Sequence, residues 1–178
     1  VPRIMDEDDV MARVTEWTRG HSIDRVLANW EPLQILAARL RERFGMPGMS
    51  VDDVRGFRDK QVMKERVKAA GLRVPRSRRV KSEREIRAAV EEIGFPICLK
   101  PIAGAGSADT YKVRDQRELE TVMKQMRHVP EASCEEFIEG EEFTYDTVSI
   151  GGVPAYENSA AYLPKPIDAR NVEWISPV

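Results

Sequence analysis

A short β-prone run, Phe95-Pro96-Ile97-Cys98-Leu99-Lys100, delivers one lysine and then breaks into Pro101-Ile102-Ala103-Gly104-Ala105-Gly106-Ser107. A lysine that closes an apolar strand needs a partner for its charge. The small residues after it let backbone N–H groups approach a ligand closely. An ammonium beside such N–H groups suits phosphate oxygens. Alone, the stretch is also compatible with a bland strand end and a mobile turn. It is not a G-x-x-x-x-G-K-[ST] loop, and Asp109 stands where a G-x-G-x-x-G run would need its third glycine.

The chain has 178 residues, of which 42% are hydrophobic and 33% charged, so it can bury a core under a soluble surface in one large domain or two small ones. A net charge of −2 gives no basic excess for nucleic acid. No apolar run approaches the ~20 residues of a membrane span. The two cysteines, Cys98 and Cys134, fall in strand-like segments without zinc spacing and read best as reduced core thiols of a cytoplasmic protein. The chain starts at Val1 without an initiator methionine and stops in apolar residues at Val178. We therefore expect an internal piece of a longer protein.

Hydrophobic spacing organises the chain. Val10, Val14 and Trp17 predict a helix over residues 6–19, with Gly20 after it. Residues 23–28 are a strand candidate. Pro32 opens a helix carrying Leu33, Leu36, Ala37, Leu40 and Phe44, and Gly45 follows it. Residues 45–50 read as a turn and linker. Residues 59–70 are helical, with Val62, Met63 and Val67 inward. A short strand falls near Val80. Ser82 and Glu85 form an S-x-x-E start for a helix with Ile86, Val90 and Ile93 buried. Strands over 97–100 and 110–113 flank the small-residue loop. Asp115 and Glu118 start a helix carrying Leu119, Val122, Met123 and Met126. Residues 134–138 form a strand. Residues 142–150 alternate, and Gly151-Gly152 turns them into a hairpin with 153–163. The proline-rich last stretch reads as a loop. His21 and His128 read as surface or cap residues.

Three pieces stand in order: Arg58-Asp59-Lys60 opening a helix, Leu99-Lys100-Pro101 with its loop, and Glu135-Glu136-Phe137-Ile138-Glu139-Gly140-Glu141-Glu142-Phe143. Together they resemble the ATP-grasp superfamily, most closely the branch of biotin carboxylase, carbamoyl-phosphate synthetase and the amino-acid ligases. The resemblance implies an α+β fold. Residues 1–57 would be the end of a Rossmann-like pre-ATP-grasp domain, 58–134 the first (A) ATP-grasp subdomain, and 135–178 the start of the second.

It also implies roles. Lys60 would reach the α-phosphate side of ATP. Lys100 would face the nucleotide and act on the transferring phosphoryl group by electrostatics. Gly104, Ala105, Gly106 and Ser107 would close over the β- and γ-phosphates with backbone N–H groups. Glu135, Glu136, Phe137 and Ile138 would be the adenine hinge, with C=O at Glu136, N–H at Ile138 and the Glu135 carboxylate assisting. Glu142 would take the ribose hydroxyls, since two acceptor oxygens suit a diol. Cys98 shares a face with Lys100 and would line the adenine pocket, although a buried core thiol is the more common explanation. Alone, Lys60 reads as an exposed helix-start lysine and the acidic hinge as a solvated strand edge.

The family's Mg²⁺ ligands would follow beyond Val178, so no metal ligand is expected here. The piece alone is expected to bind ATP weakly and turn nothing over. The whole protein would be an ATP-dependent carbon–nitrogen (or carbon–carbon) ligase. It would activate a small-molecule carboxylate as an acyl phosphate for attack by an amine or similar nucleophile, as a soluble protein that could form a homodimer. A kinase-like enzyme and a non-catalytic nucleotide-binding module stay open. Arg170, Glu173 and Trp174 are candidates for touching an acceptor substrate.

Overall fold

Acidic and hydroxyl caps set the helices at the start of the chain. The computed structural model describes residues 3–163 and 165–169, and the chain divides into two compact units, Val1–Val74 and Pro75–Val178. In the first unit Asp6 caps α1 (Glu7–Trp17) by accepting the Asp9 N–H at 3.0 Å. Val10 of α1 packs with Leu36 and Leu40 of α2 (Gln34–Phe44), flanked by Val26 and Phe44. Helix α2 ends at Gly45, whose φ of 63° favours glycine. There Met46 N–H reaches the Arg41 carbonyl, the six-to-one bond of a Schellman end. Ser50 and Asp53 form a reciprocal capping box for α3 (Val51–Arg58). Asp59 closes α3 and at once caps α4 (Lys60–Ala69), accepting from the N–H groups of Gln61 and Val62.

Two sequence expectations change in this unit. Residues 23–28 form no strand. Instead, side chains of α2 take up carbonyls of this extended segment: Gln34 donates to Ala28 at 2.7 Å and Arg41 to Val26 at 3.2 Å. Helix α3 also occupies what read as the run-up to the Lys60 helix. His21 fits its expected capping place, stacking on Trp17 with its Nδ1 at 2.8 Å from the Trp17 carbonyl.

The second unit begins with a four-stranded sheet. Its strands are β1 (Ser77–Val80), β2 (Ile97–Pro101), β3 (Tyr111–Val113) and β4 (Ala132–Glu136), in the order β1-β4-β2-β3 with every pairing antiparallel. Helix α5 (Glu83–Ile93) links β1 to β2, and α6 (Gln116–Gln125) links β3 to β4. Each helix therefore joins two parallel strands with a third lying between them. Both helices pack on one sheet face. Their stripes, Ile86, Val90 and Ile93 on α5 and Leu119, Val122 and Met123 on α6, meet Val80, Ile97, Leu99, Val113, Ala132 and Cys134. Ser82 caps α5 as expected, but the Glu85 carboxylate accepts from the Lys81 N–H. Pairing then continues in a separate hairpin, β5 (Phe143–Ile150) and β6 (Val153–Ala161), turned at Gly151-Gly152. Tyr145, Val148, Ile150 and Tyr156 of this hairpin are exposed. A short helix, α7 (Pro166–Ala169), interrupts the segment expected to be a loop. Arg170, Glu173 and Trp174 lie outside the described residues. Among the described residues no helix is long and apolar enough to cross a membrane.

Cys134 is fully buried in the helix-covered core. Burial first, then the proximity of Cys98 and Glu135, pushes its thiol up to about 12 from 9.0. The folded state thus holds the proton more tightly than the unfolded state, and this contribution to stability is lost as pH rises across that window. At pH 8 iodoacetamide should leave Cys134 unmodified until denaturant is added, as read by peptide mass spectrometry. Rapid alkylation of Cys134 in the folded protein would contradict this packing.

Candidate functional site

Strand alternation sends every second side chain away from the helices. On that second face β2 presents Cys98 and Lys100, and β4 presents Ser133 and Glu135. The register places Cys98 opposite Glu135 and Lys100 opposite Ser133, with Lys112 of β3 opposite Cys98. Lys100 and Glu135 are thus diagonal neighbours, a spacing that long side chains bridge. The Lys100 ammonium forms an ion pair with the Glu135 carboxylate, and Ser133 Oγ donates to the other carboxylate oxygen at 3.4 Å. Glu135 is 3% exposed and Ser133 wholly buried. The Lys100 side chain keeps a quarter of its surface open.

Burial works against the Lys100 charge. The nearby Glu135 carboxylate, assisted by Cys98 and Glu142, outweighs it and holds the ammonium above its usual pKa. Glu142, exposed just ahead of β5, therefore acts electrostatically on the same lysine.

The loop after β2 is anchored where Ile102 N–H reaches the Glu131 carbonyl at 3.1 Å. It then turns through three left-handed residues, Gly106 (φ 60°), Ser107 (φ 55°) and Asp109 (φ 50°). Such angles cost non-glycine residues about 1 kcal/mol or more, least for Asp and Asn. Asp109 is held there from outside the loop: its Oδ2 lies 3.0 Å from His128 Nε2. His128 thus has a partner that its sequence surroundings did not reveal, because the two residues lie on opposite sides of α6.

Beyond β4 the chain leaves the sheet. The N–H of Glu136 is taken by the Arg76 carbonyl at 2.8 Å and that of Phe137 by the Pro96 carbonyl at 3.1 Å. The Glu136 carboxylate accepts from the Arg76 N–H. Among the described residues the next N–H, that of Ile138, meets no acceptor. The Ile138 side chain is 45% exposed. A cavity of about 720 Å³ lies along this segment, walled by Tyr111, Lys112, Arg114, Phe137, Glu139 and Lys165. Lys100, Glu135 and Glu142 are not part of its lining.

The set comprises a charged lysine on a buried carboxylate, a small-residue loop and an open main-chain donor. Residues 57–155 match the family model described as the ATP-grasp domain. The chain belongs to the ATP-grasp family. It is 28% identical over 169 residues to an alanine–anticapsin ligase of Bacillus subtilis (strain 168), the match covering 84% of this chain and 36% of that protein. The crystal structure of an L-amino acid ligase from Bacillus licheniformis superimposes with a TM-score of 0.71 at 25% identity, over 90% of this chain and 36% of that one. A D-alanine–D-alanine ligase from Bacillus anthracis complexed with ATP shares the fold, with a TM-score of 0.63 at 20% identity, over 88% of this chain and 52% of its own. The chain spans about a third of the length of the curated ligase and of the L-amino acid ligase.

In this ATP-grasp chain Lys100 and Glu135 come together, Glu142 acts on Lys100 electrostatically, and the 104–107 loop and the 135–138 segment lie in the same unit. Lys60 lies in the first unit, at the first turn of α4 behind its Asp59 cap. Asp59 thereby has a structural reason to precede Lys60. Sequence reasoning missed Lys112, whose strand position opposite Cys98 was the available signal.

Lys100→Met should leave Glu135 buried without its cation, costing about 2–3 kcal/mol in thermal or denaturant unfolding. Adding Glu135→Gln should restore part of the loss. Equal stability of all three forms would show that the pair contributes nothing.

Proposed function

We propose that this chain is the nucleotide-binding part of an ATP-dependent ligase, one that activates a carboxylate as an acyl phosphate and joins it to an amine or similar nucleophile. One observation carries the reading: a lysine paired with the buried Glu135 on an ATP-grasp sheet. The relatives named as ligases of amino acids support the class of reaction.

In this reading Lys100 neutralises phosphate oxygens and stabilises the charge that moves during phosphoryl transfer. Lys60 supplies a second cation on the α-phosphate side. The N–H groups of Gly104 to Ser107 cover the terminal phosphates. The Ile138 N–H and the Glu136 carbonyl read the adenine edge, Phe137 belongs to the same hinge, and Glu142 accepts from the ribose hydroxyls. ATP supplies the phosphoryl group when bound. The family's Mg²⁺ would neutralise phosphate charge. Among the described residues no group of three His, Cys, Asp or Glu side chains is placed to hold a metal, so the metal is assigned no residue here. We further propose the boundaries 1–57, 58–134 and 135–178 for the preceding domain and the two grasp subdomains.

The test is ADP release by the intact protein, supplied with ATP, Mg²⁺ and pools of amino acids. Lys100→Ala should lower kcat/KM for ATP by about 10²–10³-fold at a temperature where the variant stays folded. Lys60→Ala should lower it by about tenfold or more. Amino-acid-dependent ADP release that is undiminished by Lys100→Ala would overturn the assignment.

A further inference from the structure

We infer that Lys112 is a positioning residue that fixes the main-chain donor at Ile138 and so sets the preference for adenine. The inference rests on the nucleotide reading above. Strand β4 ends at Glu136, and past Phe137 N–H the segment leaves the ladder of the sheet. Lys112, on β3 two strands away across β2, reaches this segment in two places. Its ammonium sits over the Phe137 ring, 3.9 Å from the centroid, and it pairs with Glu139 Oε1 at 2.9 Å. The two contacts fall on either side of Ile138, the residue whose N–H meets no acceptor among the described residues. One cation therefore clamps both neighbours of the open donor.

The environment suits a clamp. The Lys112 side chain is 23% exposed, while Glu139 is largely open to solvent. Lys112 is the principal cause that draws the Glu139 carboxyl below its usual pKa, with Lys165 contributing from farther along the chain. A cation shared between an aromatic face and a carboxylate resists displacement from either side. Lys112 also stands at the exit of the small-residue loop, two residues before Arg114. The loop's exit strand and the hinge are thus tied together by a single side chain.

The chemical consequence is specific. Adenine presents a bare acceptor at N1, whereas guanine carries a proton there. A fixed N–H donor rewards the first and meets a proton on the second, and sites built around one hydrogen bond discriminate strongly. Loosening Ile138 should therefore weaken ATP more than GTP. Loss of general fold stability would weaken both alike.

The experiment compares the intact protein with Lys112→Met, which keeps the aliphatic stem, and Lys112→Arg, which keeps the cation. Without nucleotide, exchange of the Phe137 amide, which is bonded to the Pro96 carbonyl, should speed up by about five- to thirtyfold in Lys112→Met and return to near wild type in Lys112→Arg. With nucleotide, Lys112→Met should raise KM for ATP by a similar factor, leave kcat within about twofold, and lower the ATP-over-GTP preference; Lys112→Arg should restore all three. Unchanged exchange in Lys112→Met would overturn the inference, as would faster exchange with an unaltered ATP-over-GTP preference. If the wild-type protein uses no nucleotide, the function reading fails by itself, while the exchange arm still decides whether Lys112 holds the segment at Phe137.

Discussion

A carboxylate buried in the middle of a β-sheet is the constraint from which the rest of the second unit follows. Glu135 sits on β4, between β1 and β2, almost without contact with water. An ionised carboxyl in such a place must be paired. The sheet supplies Lys100 from β2 by diagonal registry and a hydroxyl from Ser133 two residues back on its own strand. The order β1-β4-β2-β3 makes this possible, because it puts the last strand of the sheet beside the strand that carries the lysine. Two helices then close the opposite face, and their apolar stripes leave only one face for polar groups.

Much of the second unit could be read from residues alone. Ile86, Val90 and Ile93, and Leu119, Val122 and Met123, announced α5 and α6 because an amphipathic stripe is a local property. Gly151-Gly152 announced the hairpin for the same reason. The strand order could not be read this way, since nothing local to β4 says that it inserts between β1 and β2. The failure at residues 23–28 has a related cause. A run with Ile23, Val26 and Leu27 has strand-like composition, but a strand needs a partner ladder. Here Gln34 and Arg41 satisfy carbonyls of the segment instead. Helix α3 was hidden by Gly56 and by a polar, charged sequence, although Ser50 and Asp53 already carried its capping signal.

The candidate site divides along the same line. Lys100, the loop and the acidic hinge were legible because their order along the chain matches a family pattern. The contacts that hold them were not. His128 meets Asp109 only because α6 returns the chain to the loop, and Lys112 meets Phe137 and Glu139 only because the segment after β4 passes the start of β2 to reach β3. Both contacts are long-range in sequence and made by residue types common on any surface. Each acts on a backbone feature, a left-handed angle at Asp109 and an open N–H at Ile138, which no side-chain motif encodes.

The state of Lys100 decides what kind of chemistry the sheet can support. A lysine that works as a nucleophile or a base must lose its proton near neutral pH, usually through burial without a counter-charge. Burial is present here, but Glu135 and Glu142 reverse its effect and keep the ammonium charged. A lysine whose pKa is raised is a point charge with three donors near neutral pH. It suits phosphate oxygens and moving negative charge, and it is unsuited to forming a covalent bond with substrate. The buried carboxylate that the fold has to neutralise therefore also favours the charged form of the lysine.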